Sequence, residues 1–236
     1  MPSEELERIA SVYAERERAL PADRYSLWRP GNLYIVQRRE QNLLEILAEE
    51  GFEELSDTQI LDVGCGSGED LRQLLRYGAT AEKLIGVDVL PNRLERARAL
   101  SPHLRFELID GTTLPFPDAS FDLVWQSTVF SSIIDPKLQN ILAAEMRRVL
   151  KPSGAIFWYD MRVTNPKNHD LVPLTMDRVA ELFPGYDLIL RPHTLLPFLA
   201  RPLAPYSRIL CELLELLPPL RGHLLGLIRP RGHRHG

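Results

Sequence analysis

Ile60-Leu61-Asp62-Val63-Gly64-Cys65-Gly66-Ser67-Gly68 changes character halfway along. Its first four residues are an apolar run broken by one acid, and its last five carry a glycine at every second position. Leu71, Leu74 and Leu75 follow at helical spacing, and Gly78 stops them. The segment therefore reads as a buried strand that turns sharply into a helix. Glycines at such a junction let backbone approach a ligand closely, and the helix amino terminus offers unpaired N–H groups.

Downstream, strands are expected near Leu84–Asp88, Leu104–Ile109, Phe121–Gln126 and Ala155–Asp160, besides Gln59–Val63 itself. Helices fill the gaps. Pro91 opens one with Leu94 and Ala97 inward, and Asp135 caps another with Pro136 at its first position. Lys151–Gly154 is expected to end that helix. Strands alternating with helices imply a parallel sheet covered on both faces, so the fold class is α/β, doubly wound and Rossmann-like. Upstream, Leu6, Ile9, Ala10 and Tyr13 mark one helix, and Asn32–Glu50 a second with Leu43, Leu44 and Leu47 inward. In the last third, Leu174–Phe183 reads as a helix with Thr175 as cap, and Tyr186–His193 as a strand. Tyr206–Leu217 reads as an inserted helix whose Leu210, Leu213, Leu214 and Leu217 stripe is buried on the domain or in a dimer contact, with a greasy acceptor or a membrane surface as the alternative, and His223–Arg229 as the final strand. The whole of 1–236 is taken as one domain, with 1–55 as an N-terminal helical lid and 56–236 as the core.

Composition narrows the function. The chain has 236 residues, 44% hydrophobic and 25% charged, with formal net charge -4. No global field favours nucleic acid; the basic tail Arg229–His235 reads as a solvated end. Cys65 and Cys211 form no disulfide framework, which points to a reducing compartment, the cytoplasm. The opening MPSEELERIA lacks the apolar run of a signal peptide, and Leu195–Ile228 carries too many charges and prolines to span a bilayer. Two separated cysteines and scattered histidines lack zinc-ligand spacing, and Asp160 with Asn165 lacks a third magnesium ligand, so no metal is expected.

An acid, Asp88, ends the second strand, where a carboxylate can accept from both hydroxyls of a ribose. A dinucleotide fingerprint would read GxGxxG, whereas Gly64, Gly66 and Gly68 read GxGxG with Glu69 at the place of the last glycine. That spacing argues against an NAD-dependent oxidoreductase. With Asp62, with Leu108-Ile-Asp-Gly-Thr112, with Leu114-Pro-Phe-Pro-Asp-Ala-Ser-Phe-Asp-Leu-Val124 and with Arg147-Arg-Val-Leu-Lys-Pro-Ser-Gly154, the loop resembles the class I S-adenosylmethionine-dependent methyltransferases over roughly Tyr34 to Asp160.

The resemblance implies a seven-stranded, mostly parallel sheet with an antiparallel last strand, a helical insertion before it, and S-adenosyl-L-methionine as cofactor. It implies Asp62 and the loop positions Gly64, Cys65, Gly66 and Gly68 at the methionine part, and Asp88 with Val89 at the ribose. Asp110, Gly111 and Thr112 would meet the adenine, and Gln126 and Ser127 would flank the methionine. Tyr34 and Arg38 are candidates for its carboxylate. Trp28, Phe130, Tyr159, Arg162 and His193 are acceptor-side candidates, and Asp160 and His169 candidate bases, none of them decisive. The acceptor expected is a small molecule (a natural product, a sugar or a lipid-linked intermediate), with O-methylation favoured. A protein or RNA methyltransferase remains open, as does a non-catalytic cofactor-binding or partner-activating protein. A monomer or homodimer is expected.

Overall fold

In the computed structural model, residues 2–19, 21, 23–163 and 168–232 are described. Asn165 and the end of the basic tail, 233–236, lie outside them. Two helices, α1 (Pro2–Ala19) and α2 (Pro30–Glu49), precede the sheet. Then β1 (Ile60–Val63), α3 (Glu69–Arg76), β2 (Leu84–Asp88), α4 (Pro91–Leu100), β3 (Arg105–Leu108) and β4 (Phe121–Ser127) alternate. α5 (Pro136–Val149), β5 (Leu150–Met161), α6 (Met176–Leu182) and β6 (Tyr186–Leu195) continue the pattern. Two short helices, α7 (Pro197–Leu203) and α8 (Arg208–Glu215), lead to β7 (Arg221–Pro230).

The seven strands run in the order β3-β2-β1-β4-β5-β7-β6. β1 to β5 pair parallel, and β7 lies antiparallel between β5 and β6. β1 lies between β2 and β4, and the strand order reverses there. That is the switch point at which open α/β sheets bind ligands, beyond the carboxyl ends of their strands.

Both faces of the sheet are apolar, as an inner parallel sheet requires. Side chains alternate along β1: Leu61 and Val63 join Ile9 of α1, Leu142 and Met146 of α5, and Leu182 of α6. Ile60 joins Leu43 and Leu47 of α2, Leu71 and Leu74 of α3, and Leu94 of α4 on the opposite face. Asp135 caps α5 by accepting from Lys137 N at 2.8 Å, and Thr175 caps α6 by accepting from Arg178 N at 3.2 Å.

Four expectations need correction. Leu44 is exposed, and Ile46 takes the inward place beside Leu43 and Leu47. Lys151–Gly154 does not form a separate turn, because β5 begins at Leu150 directly after α5. The inserted helix is present as α8, but a second one that was not expected, α7, precedes it across Ala204–Ser207. Most consequentially, α8 is rotated: of the expected stripe only Leu214 packs inward, with buried Cys211 and Glu215, while Leu210, Leu213 and Leu217 face outward with Tyr206, Ile209 and Leu216. The stripe has the spacing of an amphipathic face. Periodicity fixes which residues share a face, however, and not which way that face points. Glu215 decides it here, because its carboxylate takes the Tyr34 hydroxyl at 2.8 Å and the Arg38 guanidinium at 3.2 Å inside the α2–α8 contact.

Candidate active site

The glycine loop wraps the end of β1. Gly64, Gly66 and Gly68 have φ of 73°, 53° and 77°, left-handed backbone that costs a side-chain-bearing residue dearly. A Cβ on Gly64 would also lie 2.5 Å from Val129 Cγ2. The loop amides then point at acids and carbonyls. Gly64 N and Cys65 N donate to Val87 O at 2.8 and 3.0 Å, and Gly66 N donates to Asp88 Oδ2 at 2.8 Å. Leu90 N donates to Asp88 Oδ1 at 2.9 Å. Each carboxylate oxygen has two acceptor positions, so both Asp88 oxygens keep one for a ligand.

Asp88, Gly64, Val89, Gly111 and Ser127 line an apolar crevice of about 120 Å³ above the strand ends. Its outer wall is α1, through Leu6, Ile9 and Tyr13. That helix is tied down by polar contacts: Glu5 Oε1 accepts from Ile134 N at 2.6 Å, Arg8 donates to Ser132 O at 2.6 Å, and the Tyr13 hydroxyl meets Ser132 Oγ at 3.1 Å. Of the other positions expected at the cofactor, Cys65 turns its thiol into the packing beneath Gly86, which leaves only its backbone at the loop. Asp110 is exposed, and its Oδ1 accepts from Thr112 N, Thr112 Oγ1 and Thr113 N at 2.8, 2.9 and 3.0 Å, closing its own turn. Those bonds hold its carboxyl below the usual range.

Two buried polar atoms beside the loop lack partners, Asp62 Oδ2 and Gln126 Nε2. Burial, and then the charges of Asp70 and Asp88, push the Asp62 carboxyl well above its ordinary value despite Arg39. A cation and an acceptor brought by a ligand would satisfy both. The α-amino and α-carboxylate groups of S-adenosylmethionine are such a pair, so the residues present fit that group.

Tyr34 and Arg38 do not reach the crevice; both are committed to Glu215, as described. The neighbouring Arg39 points towards the sheet instead. It forms a two-pronged pair with Asp70 at 3.0 and 2.6 Å, lies 4.8 Å over the Tyr159 ring, and shares Asp70 with the Trp125 indole at 2.8 Å.

A second cavity, of about 1230 Å³, adjoins the crevice and shares Tyr13, Arg93, Thr128 and Ser132 with it. Of the acceptor-side candidates, Tyr159 lines it and the others do not. Trp28 is 96% exposed away from it, and Phe130 is fully buried against Trp158 and Phe183. Arg162 is spent on the carbonyls of Pro218 and Arg221, both at 3.0 Å. His193 is half-buried off the cavity, and His169 is exposed on a turn. Asp160 is fully buried, with Oδ2 accepting from Ser131 N at 3.2 Å and Oδ1 from Met161 N at 2.8 Å. Burial pushes its carboxyl up to about 6. It braces the loop after β4 and presents no free oxygen to the cavity.

The group that sequence reasoning passed over is His223, at the start of β7 and on the cavity wall. Its ring stacks on Tyr159 at 4.6 Å, and its Nδ1 lies 2.6 Å from Thr194 Oγ1. Thr194 Oγ1 also lies 2.8 Å from His193 O; with its hydrogen on that carbonyl it accepts from His223 Nδ1–H, and Nε2 is left with the free lone pair. Burial lowers the imidazole to about 3, so the ring is uncharged at neutral pH. Thr194 and Thr128, which flank this wall, are β-branched residues at φ of 57° and 58°. Such strain costs of order 1–3 kcal/mol per residue and collects at functional sites. Among the described residues, no three His, Cys, Asp or Glu side chains come together as a metal site.

A glycine loop at the sheet's switch point, an acid on the next strand and a large cavity beside them have the layout of a nucleoside-cofactor site. Residues 60–154 match the family model described as a methyltransferase domain. That stretch is similar to the methyltransferase domain, and the sheet has the fold of S-adenosylmethionine-dependent methyltransferases. It is 35% identical over 121 residues to a 2-methyl-6-phytyl-1,4-hydroquinone methyltransferase of Synechocystis, covering 50% of this chain and 35% of that one. It is 32% identical over 118 residues to a sterol 24-C-methyltransferase of Gibberella zeae, covering 48% and 30%. The chain thus spans about a third of the length of the curated relatives it matches. Among solved structures, an S-adenosylmethionine-dependent methyltransferase from Mesorhizobium loti shares the fold, with a TM-score of 0.57 at 20% identity over 81% of this chain and 98% of that one.

Proposed function

We propose that this chain transfers the methyl group of S-adenosylmethionine to a small-molecule acceptor, with oxygen as the attacking atom. The observation that carries the proposal is the joining of the two spaces: the Asp88 crevice opens through Tyr13, Arg93, Thr128 and Ser132 into a cavity roomy enough for a second reactant. The names of the two curated relatives, a prenylated hydroquinone and a sterol enzyme, favour an organic acceptor over a macromolecule.

The sulfonium supplies an activated methyl group, so the protein's main task is alignment and exclusion of water. Asp88 holds the ribose, Asp62 the amino group, and the left-handed Gly64–Gly68 loop lets backbone close on the methionine part. α1 covers the crevice from outside. On the acceptor side, Nε2 of His223 orients a hydroxyl and takes its proton as the methyl arrives. A weakly basic imidazole suffices there, because a methylated oxonium is a far stronger acid than any imidazolium. Tyr159 holds the ring in plane, and Thr194 holds the tautomer.

Incubation with methyl-labelled S-adenosylmethionine and a metabolite extract tests this. Label is expected in the low-molecular-mass fraction, with His223→Gln lowering kcat about 10²-fold or more. Label confined to protein or RNA would contradict the small-molecule reading. Cofactor binding with no transfer to any fraction would favour a non-catalytic, partner-activating role.

A further inference from the structure

The electrostatics of the large cavity oppose those of the chain. Formal net charge is -4, yet the cavity wall carries Arg16, Arg24, Arg93, Arg96 and Arg201 against a single carboxylate, Glu17. Some of that charge is answered: Arg16 lies 3.6 Å from Asp170, and Arg93 lies 3.9 Å from Glu17 and 4.1 Å over the Tyr13 ring. Arg24, Arg96 and Arg201 are different. None of them has a carboxylate within ion-pair distance among the described residues.

Arg201 is nonetheless held in place. A Cβ on Gly31 would fall 2.5 Å from Arg201 Cα, so only glycine lets the start of α2 cross α7 this closely. Beside it, buried Asn32 accepts from Arg201 Nε at 3.1 Å, and its own amide donates to Arg24 O at 2.8 Å and Ser26 O at 3.1 Å. The Arg201 guanidinium sits 5.7 Å over the Tyr25 ring. One asparagine thereby fixes both the arginine on α7 and the loop that bears the other arginine. Burial, then the nearby charge of Arg24, weakens the proton affinity of Arg201. Two guanidiniums have been brought into each other's field with no counter-ion. Tyr25 and Phe198, 65% and 55% exposed, stand on the same wall.

The geometry points to an acceptor that carries an oxyanion, a carboxylate or a phosphate ester, seated between Arg24 and Arg201 with its organic part against Tyr25 and Phe198. Guanidinium forks match such oxyanions with paired hydrogen bonds, and the mutual repulsion of the arginines is relieved when the anion arrives. The inference rests on the cavity's being the acceptor site. It gives that site a polarity, with the anionic end at the α2–α7 crossing and the methylated end towards His223.

Ligand-observed NMR titrations test it at low ionic strength, with S-adenosylhomocysteine present and with phenyl phosphate, benzoate and neutral benzyl alcohol as probes. At least one anion is expected to bind roughly tenfold more tightly than benzyl alcohol, and whichever anion binds more tightly assigns the headgroup. Arg201→Gln and Arg24→Gln should each weaken the anion at least fivefold. Benzyl alcohol and S-adenosylhomocysteine affinities should stay unchanged in both variants, which also shows that they fold. Equal affinity for charged and neutral probes, or anion binding indifferent to both substitutions, would overturn the proposal. Failure of S-adenosylhomocysteine to bind while the arginine-dependent anion binding persists would instead sink the methyltransferase reading and leave the anion site standing.

Discussion

In the proposed function cofactor recognition turns on Asp88, whose carboxylate is oriented by two loop amides and keeps acceptor capacity for a ribose. Asp88→Ala is expected to weaken S-adenosylhomocysteine binding by about 1–3 kcal/mol in calorimetry, the range for a hydrogen bond to a charged group. Unchanged affinity would remove Asp88 from the site. Asp160 acts on stability instead. Burial raises its folded pKa to about 6 from an ordinary 3.8, so the folded protein holds this proton more tightly than the unfolded chain. The stability it contributes is therefore present below 3.8 and is lost as pH rises through about 6. Urea melts across that window should show a downward slope worth on the order of 1–3 kcal/mol that Asp160→Asn lacks. Parallel slopes in the two proteins would show that Asp160 does not titrate as described. The placement of Asp62 and Asp88 beside the glycine loop was legible in the sequence because it depends on local spacing. His223 was not, because its tautomer is set by Thr194, on a different strand.

At the scale of elements, one residue along a helix decides which partner an arginine meets. Arg38 and Arg39 are adjacent, and the roughly 100° turn per residue sends the first to α8 and the second to α3 and the sheet. The Arg39–Asp70 pair is the buried polar tie between α2 and α3, beside the more exposed contact of Glu40 with Arg76 and Tyr77. Arg39→Met strands Asp70 without a counter-charge and should cost about 3–5 kcal/mol, whereas the double replacement Arg39→Met with Asp70→Leu should recover most of it. Chemical denaturation of the three proteins decides this; equal losses in the single and double variants would mean that the charge is not the cause. The strands and the helices between them were readable from alternating apolar runs and caps such as Asp135 and Thr175. The direction in which α8 faces was not, since it follows from Glu215 meeting Tyr34 and Arg38 of α2, which are remote in sequence.

Over the whole molecule, the sheet order places the glycine loop and Asp88 at the switch point, and β7, α1 and α7 bring the walls of the second cavity to the same end. The cofactor half of the site lies within one stretch of chain and could be read from it. The acceptor half joins residues from both ends of the chain, Tyr13, Arg24, Tyr159, Arg201 and His223, and no local pattern announces that assembly. Among the described residues no helix is long and apolar enough to cross a membrane. A crystal structure with S-adenosylhomocysteine tests the central claim most directly. The expected result is the ribose hydroxyls on the Asp88 carboxylate, the amino group beside Asp62, and the sulfur facing the cavity lined by His223. Product bound anywhere else, or Asp88 left without a ligand contact while the crevice stays closed by Leu6 and Ile9, would contradict it.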